Sequence, residues 1–147
     1  MKKTKNGEEH EVPLSDAAIA IIQSVKRTAC AENFIFTTTG RSAVSGFSKA
    51  KRQIDEKIKE LTGRTLEHWR FHDLRRTAAT GMEKLKIPLQ VTEAALNHVA
   101  GSKSGIVGIY QQHKYDSEKR DALEKWAAYV ERVVSSKNNT GHASNLD

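Results

Sequence analysis

Apolar residues recur at three- and four-residue steps from Val44 almost to the C-terminus, the spacing that gathers side chains on one face of a helix. Phe47, Ala50, Ile54, Ile58 and Leu61 form the first such stripe, which Gly63 ends. A second helix is predicted from near His72, buried along Leu74, Ala78, Met82 and Leu85. Pro88 suits the first turn of a third, which carries Val91, Ala94 and Ala95. A short helix after Ser104 would set Ile106, Ile109, Tyr110 and His113 on one side. The last helix has the clearest pattern: Ser117 as cap, then Leu123, Trp126, Ala127, Val130, Val133 and Val134.

Ahead of Val44 the pattern is broken by turn formers. Lys2 to Lys5, Asn6-Gly7 and Glu8 to Val12 read as a β-hairpin, because Asn-Gly adopts the positive φ angles of a tight two-residue turn. Pro13 stops the second strand or marks it as an edge. Ser15 then caps a helix that runs to about Lys26, with Ala18, Ile19, Ile22 and Val25 as its buried stripe. Phe34 to Phe36 is expected as a short strand before a turn at Gly40. The fold class that follows is mainly α with a small antiparallel β element. Residues 1–135 form one domain, and residues 136–147, which lack any apolar period, are expected as a disordered tail.

Composition narrows the class. The longest apolar run, Ala17 to Ile22, is six residues where a membrane helix needs roughly 20, and no signal peptide opens the chain. The lone cysteine, Cys30, excludes an internal disulfide and a multi-cysteine metal site, so a reduced, cytoplasmic protein is expected. The 147 residues carry 24 Lys and Arg against 18 Asp and Glu, net +6. Of that excess +5 sits in residues 1–76 and +1 in residues 77–147. A lopsided basic chain favours a polyanionic partner, because each cation that neutralises a phosphate releases a counterion.

The densest chemistry lies in Phe71-His72-Asp73-Leu74-Arg75-Arg76-Thr77. On a helix His72 and Arg75 share a face, and an imidazole beside a guanidinium suits a phosphate: the guanidinium is a charged fork of donors, the imidazole a proton carrier near neutral pH. An exposed, solvated helix face explains the same residues. His98 follows Asn97 where a helix ends, so it caps carbonyls there or serves a site. Tyr110 on its apolar face reads equally as core with a hydroxyl at the rim. His10, His68, His72, His98 and His113 have no metal-ligand spacing.

Taken in order, a lysine before an Asn-Gly turn, His-x-x-Arg on a helix, a histidine after a helix end and then a tyrosine resemble the catalytic domain of the tyrosine recombinases, the phage integrase family. The resemblance runs from Thr4-Lys5-Asn6-Gly7 to the helix around Trp126, and His72-Asp73-Leu74-Arg75-Arg76-Thr77 is its most specific part. It implies Lys5, His72, Arg75, His98 and Tyr110 as catalytic residues, with Tyr110 the nucleophile. Lys5 is preferred to Lys3 because it directly precedes the turn, and Tyr115 is the competing nucleophile. The implied activity is site-specific DNA cleavage and rejoining through a 3′-phosphotyrosine, with double-stranded DNA as partner and neither cofactor nor metal. Family members act as homotetramers on DNA; a monomer is expected for these residues free in solution. Asn97 stands where the family commonly has glycine, and only Met1 to Thr4 precede Lys5, so the family's earlier arginine has no counterpart here. The sequence therefore reads as the C-terminal portion of an integrase. A non-catalytic DNA-binding remnant is the alternative, and a helix-turn-helix regulator using the helices around Leu74 and Val91 is a third reading.

Overall fold

The computed structural model describes residues 10–29, 34–98 and 114–140. Five helices occupy them: α1 (Asp16–Ser24), α2 (Phe47–Thr62), α3 (Phe71–Lys84), α4 (Leu89–Leu96) and α5 (Asp116–Thr140). None of the described helices is long and apolar enough to cross a membrane.

The helix boundaries follow from local chemistry. The buried Ser15 caps α1, its Oγ accepting the Ala18 N–H at 3.3 Å. Gly63 ends α2 in the left-handed region at φ 68°, where its N–H donates to the Lys59 carbonyl. Asn97 does the same for α4 at φ 49°, with its N–H directed to Ala94 and the following His98 N–H reaching the Glu93 carbonyl at 2.9 Å. This is the Schellman arrangement, and asparagine tolerates the left-handed backbone it needs. Lys86 ends α3 by the same pair of bonds at φ 58°, with Ile87 N–H on Met82 and its own N–H on Glu83.

Several expectations are corrected. Among the described residues there is no strand: the proposed hairpin lies outside them apart from His10 to Val12, which are not paired. Phe34 to Phe36 belongs to a loop, closed by Val44 N–H on the Phe36 carbonyl at 2.9 Å and by Thr37 Oγ1, which donates to Ser42 O and accepts from Gly40 N–H. Those local side-chain bonds satisfy the backbone in place of a ladder. Pro88 stands just ahead of α4 rather than in its first turn, at φ −55° and ψ 140°. Ser117 lies inside α5, and its hydroxyl donates to Glu118 Oε2 rather than capping. Helix α5 continues past Ser135 to Thr140. The short helix expected after Ser104 lies outside the described residues.

The described chain divides into two compact units, one of residues up to Ile19 with those from Thr77 on, the other Ala20–Arg76. All of the described buried side chains belong to the first. Met82 of α3, Val91 and Ala95 of α4 and Ala122 of α5 form its apolar core, and α4 packs on α5. Gly81 explains how α3 joins them: a Cβ there would lie 2.6 Å from Cη2 and 2.9 Å from Cε3 of Trp126, so only hydrogen lets the indole lie against the helix. Trp126 stacks in turn on Tyr129 at 5.6 Å.

The Ala20–Arg76 unit is built differently. The α2 stripe is correctly spaced but stays accessible at Phe47, Ile54 and Leu61, and Leu74, expected in the core, is 56% exposed. Its order comes from a cluster of rings and charges at the start of α3.

Candidate active site

Helix α3 begins immediately after Trp69-Arg70, and hydrogen bonds, a cation–π contact and ring contacts fix its first turn. Trp69 donates its indole N–H to Asp55 Oδ1 at 2.7 Å, and the other carboxylate oxygen accepts from Lys51 Nζ at 2.6 Å. The same ammonium lies 4.7 Å from the Trp69 ring centroid, a cation–π contact. Phe71 meets both Trp69 and Phe47 edge to face, at 5.5 and 5.9 Å. Asp73 then caps the helix start: its Oδ2 accepts the Arg70 N–H at 2.8 Å, the N3-to-N-cap half of a capping box.

Both carboxylates are held below their ordinary range. For Asp55 the hydrogen bond from Lys51 is the main cause and that from Trp69 the next. For Asp73 the Arg70 backbone N–H is the main cause, opposed by desolvation and assisted by Arg76, whose Nη1 is 3.5 Å from Oδ1.

His72 and Arg75 project from this braced turn three residues apart. His72 is exposed and Arg75 half-buried. Neither forms an ion pair or hydrogen bond with another described side chain, while neighbouring Asp73 and Arg76 engage each other. The Arg75 guanidinium keeps its fork of donors available, and an arginine so placed matches the planar, bidentate demand of a phosphate. The acid in this segment, Asp73, is committed to the backbone and to Arg76.

His98 belongs to the other compact unit, where the Schellman turn at Asn97 carries it off the end of α4. Its side chain is 62% exposed, and Nδ1 lies 3.9 Å from Glu93 Oε1, beyond hydrogen-bond range. Lys5 and Tyr110 lie outside the described residues. Among the described residues, no group of three or more His, Cys, Asp or Glu side chains is arranged to hold a metal ion.

The division into units sharpens the charge pattern. Ala20–Arg76 contains 12 Lys and Arg against 6 Asp and Glu, net +6, while the remaining residues hold 12 of each. The whole excess of positive charge therefore belongs to the unit that carries His72 and Arg75. Residues 1–117 match the sequence pattern of the phage integrase family, a span that includes all five candidate positions.

The chain belongs to the phage integrase family. It is similar to Prophage integrase IntA of Escherichia coli (strain K12), with 29% identity over 135 residues. The aligned stretch covers 90% of this chain and 30% of that protein, so the chain spans under a third of its curated relative. No solved structure matches it.

Within the integrase framework, sequence reasoning missed Asp55, Lys51 and Trp69. Their signal was available: Lys51 and Asp55 stand one helical turn apart, and Trp69 is two residues ahead of Phe71. A lysine, an aspartate or a tryptophan taken singly says nothing of this cluster, and only the fold brings the indole N–H to the carboxylate.

Proposed function

We propose that this chain contributes the catalytic residues of a site-specific DNA recombinase that cleaves and rejoins strands through a 3′-phosphotyrosine. The observation that carries the reading is the His72-x-x-Arg75 pair, on a helix start braced by Asp55, Trp69 and Asp73, inside a family match that spans all five candidates.

A phosphodiester is an anion, so the reaction needs donors placed where charge grows on the non-bridging oxygens. Arg75 and His98 supply them. The Tyr110 phenolic oxygen forms the new bond to phosphorus as the bond from phosphorus to the 5′ oxygen breaks. His72 assists removal of the phenolic proton, and Lys5 donates a proton to the departing 5′ oxygen. Attack by a second DNA 5′ hydroxyl reverses these events and restores the tyrosine, so the bond is exchanged without an external energy source.

Nicked duplex DNA from the junctions of the integrated element tests this, because loss of the short strand beyond the nick traps the adduct and makes slow cleavage measurable. A covalent protein–DNA band should form and disappear in Tyr110→Phe; a band that survives that substitution overturns the nucleophile.

A further inference from the structure

Lys119 is a lysine where lysine is costly. Its side chain is only 6% exposed, and it stands in α5 beside the buried Ala122. A buried ammonium needs its protons satisfied, and two partners do this. Asp116 Oδ1, one turn earlier on α5, accepts at 2.8 Å. The backbone carbonyl of Glu11 accepts at 3.1 Å, across 108 residues of sequence. A second bond ties the same two segments: Glu124 Oε1, further along α5, accepts the Asp16 N–H at the start of α1 at 3.0 Å. All these residues belong to one compact unit.

The position of this clamp in the sequence gives it a meaning. Glu11 lies six residues after Lys5, and Asp116 lies six residues after Tyr110. The clamp thus joins the segment that leads away from the proposed leaving-group acid to the helix that follows the proposed nucleophile. In a displacement where a proton must reach the departing oxygen as the attacking oxygen closes on phosphorus, those two groups must be in register.

We propose that Lys119 is a positioning residue that sets the Lys5 segment against the Tyr110 segment by bridging the Glu11 carbonyl and the first turn of α5. The inference rests on the recombinase reading above. It gives the buried ammonium a task that an apolar residue of similar volume cannot perform, because only a donor bonds the Glu11 carbonyl.

The test uses two versions of the nicked duplex, one with the ordinary 5′ oxygen at the cleaved bond and one with sulfur in its place. A thiolate leaves without a proton, so the sulfur version bypasses Lys5. Lys5→Ala should lose roughly 10²–10⁴ in cleavage rate on the oxygen substrate and recover on sulfur, the range for one general acid. Lys119→Met should show the same signature more weakly. Its loss should be at least about tenfold on oxygen and within about threefold on sulfur, because misplacement rather than removal is at issue. Lys119→Arg, which retains a donor, should recover part of the oxygen rate. Amide exchange should show α4 and α5 still protected in Lys119→Met, so that the loss of rate is not a loss of folding.

Asp16→Pro provides the second variant. Proline is favoured at the first helical position and removes the N–H that Glu124 accepts together with the exposed Asp16 carboxylate, so α1 is preserved while the other tether is cut, and a milder loss of the same kind is expected. Equal losses on oxygen and sulfur, or no loss on oxygen, would overturn the clamp while Lys5→Ala behaves as described. Failure of the parent chain to form an adduct, or of sulfur to rescue Lys5→Ala, would instead bring down the recombinase reading and the clamp with it.

Discussion

At Asp55 one carboxylate is asked to do two tasks, since Oδ1 receives the Trp69 indole N–H and Oδ2 the Lys51 ammonium. Both bonds favour the charged form, which is why its pKa falls below the usual carboxylate range. A carboxyl whose folded pKa is depressed contributes stability above its unfolded value, ordinarily about 3.9, and loses it as the pH falls through the folded value. Acidification below about pH 3.9 should therefore release Trp69 before it unfolds the Met82 and Ala122 core. In a Trp126→Phe background, where Trp69 is the sole indole, its fluorescence should report that transition. Asp55→Ala, which leaves no acceptor, should abolish the acid step and leave Trp69 in the released state at neutral pH. An unchanged spectrum in Asp55→Ala would show that the carboxylate does not hold the ring. Because Trp69 and Phe71 make ring contact, the same variant should slow cleavage more than it weakens DNA binding, as expected for misplacement of His72 and Arg75 rather than loss of charge.

Between elements, the tightest approach turns on Gly81. Gly81→Ala would place a methyl carbon into the Trp126 indole, and the ring has to move away from a helix it now touches. Overpacking of this kind costs about 1–3 kcal/mol, so the melting temperature should drop by several degrees although alanine has the higher helix propensity. Added Trp126→Phe, a smaller ring, should recover part of the loss; a Gly81→Ala chain as stable as the parent would show that the ring moves freely. This contact also shows where sequence reading ends. The helices themselves are legible, because Ser15, Gly63 and Asn97 act through bonds within a few residues, and the stripe of α4 is half-buried or buried at Val91, Ala94 and Ala95. The His72-x-x-Arg75 spacing is legible for the same reason. Depth of burial is not: Leu74 and Met82 share one apolar period, yet one is 56% exposed and the other 0%, since only the fold decides which part of a stripe is covered. The Lys119 clamp is invisible for a related reason, as nothing in 108 intervening residues announces that a lysine meets the Glu11 carbonyl.

On the scale of the whole molecule, packing and charge are divided between the two compact units. Every described buried side chain lies in the unit that holds α4 and α5, whereas the entire net charge of +6 lies in Ala20–Arg76. A surface of that kind is suited to phosphates rather than to a buried apolar interface. It predicts how binding responds to salt: affinity for duplex DNA should fall steeply between 50 and 200 mM, with a slope of about −0.9 per phosphate neutralised. Local ion pairs decide which cations contribute. Lys51 and Lys57 are engaged by Asp55 and Glu60, whereas Lys49, Lys59 and Arg64 are exposed without an ion-pair partner among the described residues. Changing Lys49, Lys59 and Arg64 to Gln one at a time should each weaken binding on all sequences alike. Each that contacts a phosphate should also flatten the salt slope by about one unit. Lys84→Gln and Arg132→Gln, exposed cations of the other unit, serve as the comparison and should leave the slope unchanged. Equal effects from both sets would mean that DNA responds to the charge of the whole chain, and that the basic unit carrying His72 and Arg75 does not by itself direct the duplex.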